Sequence, residues 1–339
     1  MQTISRIGVI GAGAWGTALA KHLAEKGLET RLWAYEREVV AAINGKHENP
    51  VFLSGVALPS SLVATGSLSE LTEQCEGLLF AVPSHVARPV LRELVQSLST
   101  PIPFVSATKG VEEDTLNLMT QVMTDILPPA MHRDLMVLSG PSFATEVSAG
   151  KPAVLCLAGN DEELVKTFQT VLMTPAFRVY ADNDMLGVQL GGALKNVMAL
   201  AAGVVDGLDL GHNVRAALIT RGLAEMVRLG VAMGADPRTF YGLSGVGDLV
   251  LTCTGALSRN HMVGVGLGKG ERLETILGNM QAVAEGVRTA KAALGLARRH
   301  HVEMPIVQEI NAVLFEGKPC RKAVTDLMER DAKPEKGQP

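Results

Sequence analysis

Three glycines near the N-terminus have the spacing of a phosphate-binding turn. Gly11, Gly13 and Gly16 form a G-x-G-x-x-G pattern between an apolar run at residues 6–10 and a helical run at residues 15–26. The first glycine of such a pattern permits a tight turn, the second lets the backbone approach a pyrophosphate, and the third lets the helix pack closely on the strand. The helix N-terminus offers unpaired N–H groups to phosphate oxygens. Strand, turn and helix in this order predict a dinucleotide site.

The end of the second predicted strand bears on the choice of coenzyme. Tyr35 is followed by Glu36 and Arg37, at the point where this kind of strand meets the adenosine ribose. A carboxylate there accepts a hydrogen bond from the 2′-hydroxyl of NAD, whereas an arginine pairs with the 2′-phosphate of NADP. Both residue types are present, and either could be an ordinary solvated charge. The sequence therefore leaves the choice between NAD and NADP open.

A lysine interrupts the most apolar helical stretch of the chain. Lys195 and Asn196 lie within residues 186–205, where apolar side chains recur at helical spacing. A lysine in such surroundings loses water contact, which destabilises its ammonium form and suits it to general acid/base chemistry. The alternative is a lysine whose stem packs while its ammonium reaches the surface. The pattern alone favours neither interpretation.

The elements that must position these residues follow from the order of the hydrophobic patterns. Strand-like and helical runs alternate through the first half, which predicts a parallel sheet covered by helices on both faces. From about Asp184 only helical patterns remain. We predict an α/β N-terminal domain with a Rossmann-type doubly wound sheet over residues 1–190, and an all-α C-terminal domain over residues 191–339. The predicted strands are residues 6–10, 29–35, 78–82, 104–107, 135–138, 153–158 and 177–180, with a helix that starts near Asp161.

Length and composition exclude several classes of protein. A chain of 339 residues exceeds the usual size of one hydrophobic core, so two domains are expected. The 31 basic and 35 acidic residues nearly balance and form no basic block, so a nucleic acid partner is not expected. Polar residues interrupt the longest apolar stretch, which argues against membrane insertion. The four cysteines lie far apart, so no metal site is predicted and a reducing, cytoplasmic compartment is favoured.

The residues around Lys195 also resemble a known family. Positions 192–199 read GALKNVMA and are followed by Gly203, Asp206, Gly207, Gly211 and Asn213. This segment closely resembles the signature of bacterial NAD(P)-dependent glycerol-3-phosphate dehydrogenase. Ser54 is a departure, since family members commonly carry proline there. The resemblance continues at residues 11–20, 81–84, 107–110, 139–144, 247–249, 258–260 and 284–286.

The resemblance implies an activity and a set of site residues. The expected reaction is the reversible reduction of dihydroxyacetone phosphate to sn-glycerol 3-phosphate, a phospholipid precursor, with Lys195 as the catalytic acid/base. The residues that it implies for substrate binding are Lys109, Gly140, Ser142, Lys195, Asp248, Ser258, Arg259 and Asn260. Those expected to bind NAD or NADP, together with the glycine turn, are Ala14, Trp15, Tyr35, Lys109, Ala144, Arg259, Val283 and Glu285.

Since residues of both domains are on these lists, the resemblance implies a cleft that both domains close around the substrate. Asp248 is expected to orient the lysine or to bind a substrate hydroxyl, with helix capping as the competing role. The partners expected are a small phosphorylated three-carbon substrate and a second copy in a homodimer. The protein is expected in the cytoplasm.

Two other functions fit the same pattern of residues. Other two-domain reductases, for a β-hydroxy acid or ketopantoate, also join a dinucleotide-binding domain to a helical domain around a lysine. A non-catalytic dinucleotide sensor is the alternative from a different class, because a fold does not prove chemistry. The polar residues within the helical domain favour an enzyme.

Overall fold

The computed structural model describes residues 4–280, 284–332 and 334–335. The chain divides into two compact units. The first consists of the chain up to Glu112 together with Asn117–Gln189, and the second consists of Glu113–Leu116 together with the chain from Leu190 onward. The domain boundary between residues 190 and 191 stays a proposal, which this division supports except for the short segment Glu113–Leu116.

The strands of the first unit are β1 (Arg6–Ile10), β2 (Glu29–Trp33), β3 (Glu48–Asn49), β4 (Leu53–Ala57), β5 (Val63–Thr65), β6 (Gly77–Phe80), β7 (Phe104–Ser106), β8 (Leu135–Ser139), β9 (Ala153–Gly159) and β10 (Phe177–Asp182). Eight of them form one sheet in the order β10-β9-β8-β7-β6-β1-β2-β5, and β3 pairs with β4 in a separate antiparallel hairpin. Every strand predicted from the sequence is present. The edge strand β5 and the β3–β4 hairpin were not predicted. β3 and β5 have only two and three residues, too few for a clear periodicity, and β4 is mostly exposed and contains no apolar run.

One pairing differs from the predicted parallel sheet. β8 and β9 run antiparallel, whereas all other neighbours in the eight-stranded sheet are parallel. The link between β8 and β9 contains one short helix, Ala144–Ser148. Parallel neighbours are usually joined by a long crossover helix, which this link lacks, and the chain enters β9 in the direction opposite to β8.

Seven helices belong to the first unit up to residue 172: α1 (Ala14–Glu25), α2 (Arg37–Lys46), α3 (Leu68–Thr72), α4 (Ser84–Ser97), α5 (Met119–Thr124), α6 (Ala144–Ser148) and α7 (Glu162–Leu172). A 3₁₀ helix covers Pro129–Asp134. Asp161 caps α7 by accepting hydrogen bonds from the backbone N–H groups of Glu163 and Leu164, as its sequence predicts.

The sheet of the first unit has a hydrophobic core on each face. In β6, Leu78 and Phe80 belong to one core, while Leu79 between them belongs to the other. Successive side chains of a strand point to opposite faces, so a strand that is apolar throughout is covered on both sides. Leu23 of α1 packs in the same core as Leu79, and Leu91 of α4 packs in the other. This arrangement confirms the predicted doubly wound fold.

The second unit is helical. Among its described residues there is no strand, as predicted for the C-terminal half. Its helices are α8 (Met185–Gly207, which begins in the first unit), α9 (Gly211–Met233), α10 (Asp248–Thr254), α11 (Arg259–Gly268), α12 (Leu273–Gly278), α13 (Glu285–Arg299), α14 (Pro305–Phe315) and α15 (Cys320–Met328), with a 3₁₀ helix at Pro237–Tyr241 and a π-helical turn at Leu243–Gly247.

The segment Glu113–Leu116 packs on α13 in the second unit. Arg288 forms an ion pair with Glu113. The guanidinium of Arg299 donates a hydrogen bond to the carbonyl of Thr115. These contacts explain why the segment belongs to the second unit, although it lies between elements of the first.

The helix α8 has the length and apolar composition of a membrane span, the one such helix in the described part of the chain. Its most apolar window is completely buried by other parts of the protein. Core helices of globular proteins have the same properties, so the composition of α8 is weak evidence for a membrane span.

A buried carboxyl group in the second unit makes the stability of the fold depend on pH. Glu225 of α9 is 2% exposed and accepts hydrogen bonds from the backbone N–H groups of Ile306 (2.7 Å) and Val307 (3.3 Å) in the first turn of α14. Burial raises the pKa of Glu225 to about 7, although these two bonds oppose the shift. Between the pKa of an unfolded glutamate and about pH 7, the folded chain therefore keeps a proton that the unfolded chain releases.

We expect the free energy of unfolding to fall as the pH rises from about 5 to about 7, by roughly 3 kcal/mol at most through this one group. Glu225→Gln keeps an oxygen acceptor for Ile306 but does not titrate, so this part of the pH dependence should disappear. Urea denaturation of both proteins at pH 5, 6, 7 and 8 measures the difference, and other titrating groups cancel because both proteins share them. Parallel curves for the two proteins would contradict the assignment.

Candidate functional site

The three glycines of the turn have distinct structural roles. Gly11 has a φ of +108°, and a Cβ at this position would lie 2.9 Å from the backbone of Ala81. A Cβ at Gly16 would lie only 1.8 Å from the carbonyl oxygen of Gly11, so α1 could not pack this closely on the turn. A Cβ at Gly13 would meet no atom within 4 Å and faces open space. Glycine is therefore required at positions 11 and 16, and the turn leaves room for a ligand at Gly13.

These features fit the pyrophosphate of a dinucleotide. Gly13 is the N-cap of α1 and Ala14 is its first residue, so the unpaired N–H groups of the first helical turn lie beside the open space. The turn follows β1, an interior strand between β6 and β2, at the carboxyl end of the strand, where open α/β sheets bind ligands. The glycine turn can thus hold the phosphates of NAD or NADP.

Three other cofactor residues predicted for the first unit lie on α1 or at elements next to β1 and α1. Tyr35 follows β2, the neighbour of β1, and is 82% exposed, so its ring can contact a ligand. Trp15 lies in the first turn of α1, and its indole N–H is buried without a hydrogen-bond partner. Ala144 is the first residue of α6, which packs against α1. Glu36 and Arg37 both lie at the start of α2, so the structure does not choose between NAD and NADP.

Three predicted substrate residues come together at the ends of β7 and β8. The ammonium of Lys109 donates a hydrogen bond to the carbonyl oxygen of Gly140 (3.2 Å), and the hydroxyl of Ser142 donates to the same oxygen (2.9 Å). Gly140 has a φ of +148°, and a Cβ there would lie 2.9 Å from the Cα of Leu155. Glycine is therefore required at this position, and it shapes the loop that holds Ser142 beside Lys109.

Lys195 is buried in the helical unit. It is 7% exposed, and its ammonium donates hydrogen bonds to the carboxylate of Asp248 and to the hydroxyl of Thr252 (2.9 Å). Asp248 is completely buried at the first position of α10, and the hydroxyl of Thr252, one turn later, donates to its backbone carbonyl (2.6 Å). The lysine thus points into the unit rather than to its surface. The contact with Lys195 favours the orienting role of Asp248 over helix capping.

A chain of amide hydrogen bonds connects three helices beside the lysine. The side-chain amide of Asn260 in α11 donates to the side-chain oxygen of Asn196 in α8 (2.9 Å). The backbone N–H of Gly286 in α13 donates to the side-chain oxygen of Asn260 (2.9 Å). Each of these residues directly adjoins a predicted site residue, namely Lys195, Arg259 and Glu285. The chain therefore fixes the backbones that carry those three side chains.

Glycines set the distance between α8 and α11. A Cβ at Gly203 of α8 would lie 2.1 Å from the carbonyl oxygen of His261, and a Cβ at Gly264 of α11 would lie 2.1 Å from that of Leu200. The two backbones therefore touch directly, which only residues without a side chain allow. This contact holds the N-terminus of α11 beside the helix that carries Lys195.

Arg259 presents its cation at the N-terminus of α11. It is the first residue of the helix and is exposed to solvent. Protein atoms around the guanidinium partly desolvate it and lower its pKa from the ordinary value, while the carboxylate of Glu285 opposes this shift. The oxygen of Ser258 caps the helix by accepting from the backbone N–H of His261 (3.2 Å). The guanidinium and the helix N-terminus together favour an anionic ligand.

The predicted site residues therefore form two groups, one in each unit, and their roles toward ligands stay predictions. Val283 lies outside the described residues. Sequence reasoning did not assign Thr252 or Asn196 to the site. Asn196 was visible as a polar residue in an apolar helix, and Thr252 lies four residues after Asp248, on the same face of one helix. Within the described ranges no group of three or more histidine, cysteine, aspartate or glutamate side chains could hold a metal ion.

The buried ion pair predicts a large effect on stability. Asp248→Ala leaves the ammonium of Lys195 buried without its carboxylate, and breaking such a pair costs about 3–5 kcal/mol. We expect a loss of this order in the free energy of unfolding, measured by urea denaturation. The double variant Lys195→Met with Asp248→Leu carries no buried charge and should recover most of that stability. If Asp248→Ala had the same free energy of unfolding as the wild type, the ion pair would contribute nothing to folding.

Comparisons with known proteins agree with these features. Residues 6–165 match a family model described as NAD-dependent glycerol-3-phosphate dehydrogenase N-terminus, and residues 184–325 match the corresponding C-terminus. A glycerol-3-phosphate dehydrogenase [NAD(P)+] from Geobacter sulfurreducens is 54% identical over 331 residues, which cover 98% of this chain and 99% of that protein.

Solved structures give the same picture. The crystal structure of glycerol-3-phosphate dehydrogenase from Coxiella burnetii is 37% identical, with a TM-score of 0.92 over 96% of this chain and 99% of that chain. A ketopantoate reductase from Ralstonia eutropha covers 94% of this chain and 99% of that chain at 14% identity and a TM-score of 0.58, which shows a shared fold only. The resemblance noted in the sequence is therefore confirmed: the chain belongs to the NAD-dependent glycerol-3-phosphate dehydrogenase family.

Proposed function

We propose that the protein is an NAD(P)-dependent dehydrogenase that reduces dihydroxyacetone phosphate to sn-glycerol 3-phosphate and also catalyses the reverse oxidation. The observation that carries the proposal is the buried ammonium of Lys195, held by Asp248 and Thr252, in a chain with an open dinucleotide turn at Gly13. Membership of the family supports the substrate.

The cofactor, when bound, supplies the hydride that adds to the ketone carbon. Lys195 has the complementary task of giving a proton to the ketone oxygen as it becomes an alkoxide. Hydride and proton together convert the ketone to the alcohol, so no further reactant is needed. Asp248 compensates the charge of the ammonium, and with Thr252 it fixes the direction of the amine. In the oxidation, the neutral amine takes the proton back.

Other residues bind the substrate. The planar guanidinium of Arg259 can donate hydrogen bonds to phosphate oxygens. The dipole of α11, whose N-terminus carries Arg259, also favours a negative charge there. Asn260 is held by Asn196 and Gly286, which orients its amide. In the first unit, Lys109 and Ser142 contribute a second cation and a hydroxyl. Cationic and neutral donors of this kind suit a phosphate ester of a small ketone.

Steady-state assays with NADH and NADPH in parallel test the proposed function. We expect oxidation of at least one coenzyme with dihydroxyacetone phosphate and no turnover with ketopantoate or other unphosphorylated keto acids. Turnover of keto acids alone would indicate the other reductase class. Coenzyme binding without turnover of any phosphorylated ketone would indicate a sensor.

We propose further that the protein is a cytoplasmic homodimer. All four cysteines are free thiols, which suits a reducing compartment. The helical unit leaves several large apolar side chains exposed, among them Tyr241, Leu257 and Met262. Such side chains are common at interfaces between copies of a chain. Light scattering coupled to size-exclusion chromatography would measure the mass in solution.

A further inference from the structure

A buried asparagine outside the predicted site contacts the glycine turn. Asn49, in the short hairpin strand β3, is completely buried. Its amide nitrogen donates hydrogen bonds to the carbonyl oxygen of Ala12 (2.8 Å) and to the hydroxyl of Thr17 (2.9 Å). Its side-chain oxygen accepts from the backbone N–H of Phe52 (3.0 Å) in its own hairpin. The asparagine therefore connects the hairpin to the turn with its hydrogen-bonding groups occupied on both sides.

The carbonyl oxygen of Ala12 accepts a second bond from inside the fold. The hydroxyl of Thr17, also completely buried, donates to it (3.0 Å). A carbonyl oxygen has two lone pairs, so Asn49 and Thr17 together satisfy its capacity. This oxygen is the acceptor of the residue between Gly11 and Gly13, in the centre of the turn. Two donors from different elements thus hold one peptide group of the turn in a single orientation.

The orientation of that peptide group determines where the next N–H points. The bond between Ala12 and Gly13 is a planar trans peptide, so its C=O and N–H point in opposite directions. With the oxygen of Ala12 held toward Asn49 and Thr17, the N–H of Gly13 points away from them. A Cβ at Gly13 would meet no atom, so the residue has an open side for a ligand. If the peptide group rotated, the turn would lose a donor, and a carbonyl oxygen could face the phosphates and repel them.

We infer that Asn49 is a positioning residue for dinucleotide binding: through the carbonyl of Ala12 it directs the N–H of Gly13 toward the pyrophosphate. The inference rests on the proposed function in its use of NADH or NADPH as ligand. Asn49 itself faces the interior and does not touch the cofactor. The hairpin strand β4 packs against α1 and α6, which support the same turn. The hairpin is therefore part of the structure that preorganises the cofactor site.

The test measures the Kd of NADH and NADPH without substrate, by quenching of tryptophan fluorescence. Both tryptophans of the chain lie in the first unit, and Trp15 belongs to the turn itself. For Asn49→Ala we expect a Kd that is about tenfold to a hundredfold higher, the range for one or two lost hydrogen bonds to a buried polar group. With saturating coenzyme, kcat should stay within about threefold of the wild type, because the chemical step does not involve Asn49.

Thr17 provides a second, milder pair of variants. Thr17→Val keeps the shape of the side chain but removes the donor to Ala12, so the Kd should rise several-fold. Thr17→Ser restores the hydroxyl, and its Kd should return to within about twofold of the wild type. This pair keeps the inference testable if Asn49→Ala does not fold.

Asn311 is a matched control in the second unit. It is also a buried asparagine, and its amide donates to two backbone carbonyls, those of Ala290 (2.7 Å) and Val307 (2.9 Å). Asn311→Ala should lower the melting temperature as Asn49→Ala does, yet leave the Kd of both coenzymes unchanged. This difference separates positioning of the turn from a general loss of stability.

The inference is overturned if Asn49→Ala binds both coenzymes as the wild type does, or if Asn311→Ala weakens binding to the same extent. It is also overturned if Thr17→Val and Thr17→Ser bind both coenzymes with the same Kd.

The titration contains no substrate, so its result does not depend on the proposed reaction. A wild type that binds NADPH but does not reduce dihydroxyacetone phosphate would remove the proposed substrate, while the variants would still decide the role of Asn49. A wild type that binds neither coenzyme would remove both.

Discussion

Lys195→Ala is expected to lower kcat for the reduction of dihydroxyacetone phosphate by at least about a hundredfold, the lower end of the contribution of a positioned acid or base. Without the ammonium, the proton for the forming alkoxide must come from water. The Kd of NADPH should change little, since the phosphate turn lies in the first unit and does not include the lysine. Steady-state rates and coenzyme titrations on the same preparation measure both quantities.

Two further variants make this result specific to a buried proton donor. Lys21 of α1 is also a buried lysine paired with a carboxylate, that of Glu25. Lys21→Ala should keep a kcat close to that of the wild type, which controls for the loss of a buried lysine that is paired with a carboxylate. Lys195→Arg keeps a cation, but a guanidinium holds its protons too firmly to donate one, so its kcat should stay low. Near-normal turnover of Lys195→Ala would remove the lysine from the proposed chemistry.

Arg259→Ala should have the second largest effect, a fall in kcat/KM for dihydroxyacetone phosphate of about a hundredfold to a thousandfold. A bidentate contact between guanidinium and phosphate contributes two charge-assisted hydrogen bonds, each worth about 1.5–2 kcal/mol at the lower end of their usual range. Arg259→Lys keeps the charge but loses the planar pair of donors, so it should recover only part of the activity. Most of the loss should be in KM, because the phosphate is distant from the bond that changes.

Unphosphorylated dihydroxyacetone provides the decisive comparison for Arg259. It lacks the phosphate that the arginine binds, so at saturating coenzyme Arg259→Ala and the wild type should reduce it with similar, low efficiency. Arg272, an exposed arginine in the same unit, is the control, since its replacement by alanine should affect neither substrate. If Arg259→Ala lost the same factor in kcat/KM with both ketones, a role in phosphate binding would be contradicted.

Much of the first unit could be predicted because its signals are local. Each strand predicted from a run of apolar residues is present, and the glycine turn has the backbone geometry that its spacing requires. The antiparallel pairing of β8 and β9 was missed because strand direction depends on the path of the connecting segment. The hairpin with Asn49 was missed because strands as short as Glu48–Asn49 have no periodicity.

The candidate site was predictable to a lesser extent. The sequence showed that Lys195 interrupts an apolar helix, but left open whether its ammonium reaches the surface or remains inside. Only the resemblance to a family connected it with Asp248, which is 53 residues away along the chain. Thr252 and Asn49 belonged to no recognised motif, and their importance became visible through their hydrogen bonds.

The sequence by itself determined the main strands and helices and the glycine turn, because periodicity and backbone preference are properties of neighbouring residues. Its motifs, through their resemblance to known proteins, indicated the family. The tertiary structure alone decided which polar groups meet. Asn49 reaches Ala12 and Lys195 reaches Asp248 because a hairpin or helix packs at one distance and rotation against its neighbour. Buried polar groups must find partners within the fold, and those partners depend on packing between segments that are distant along the chain.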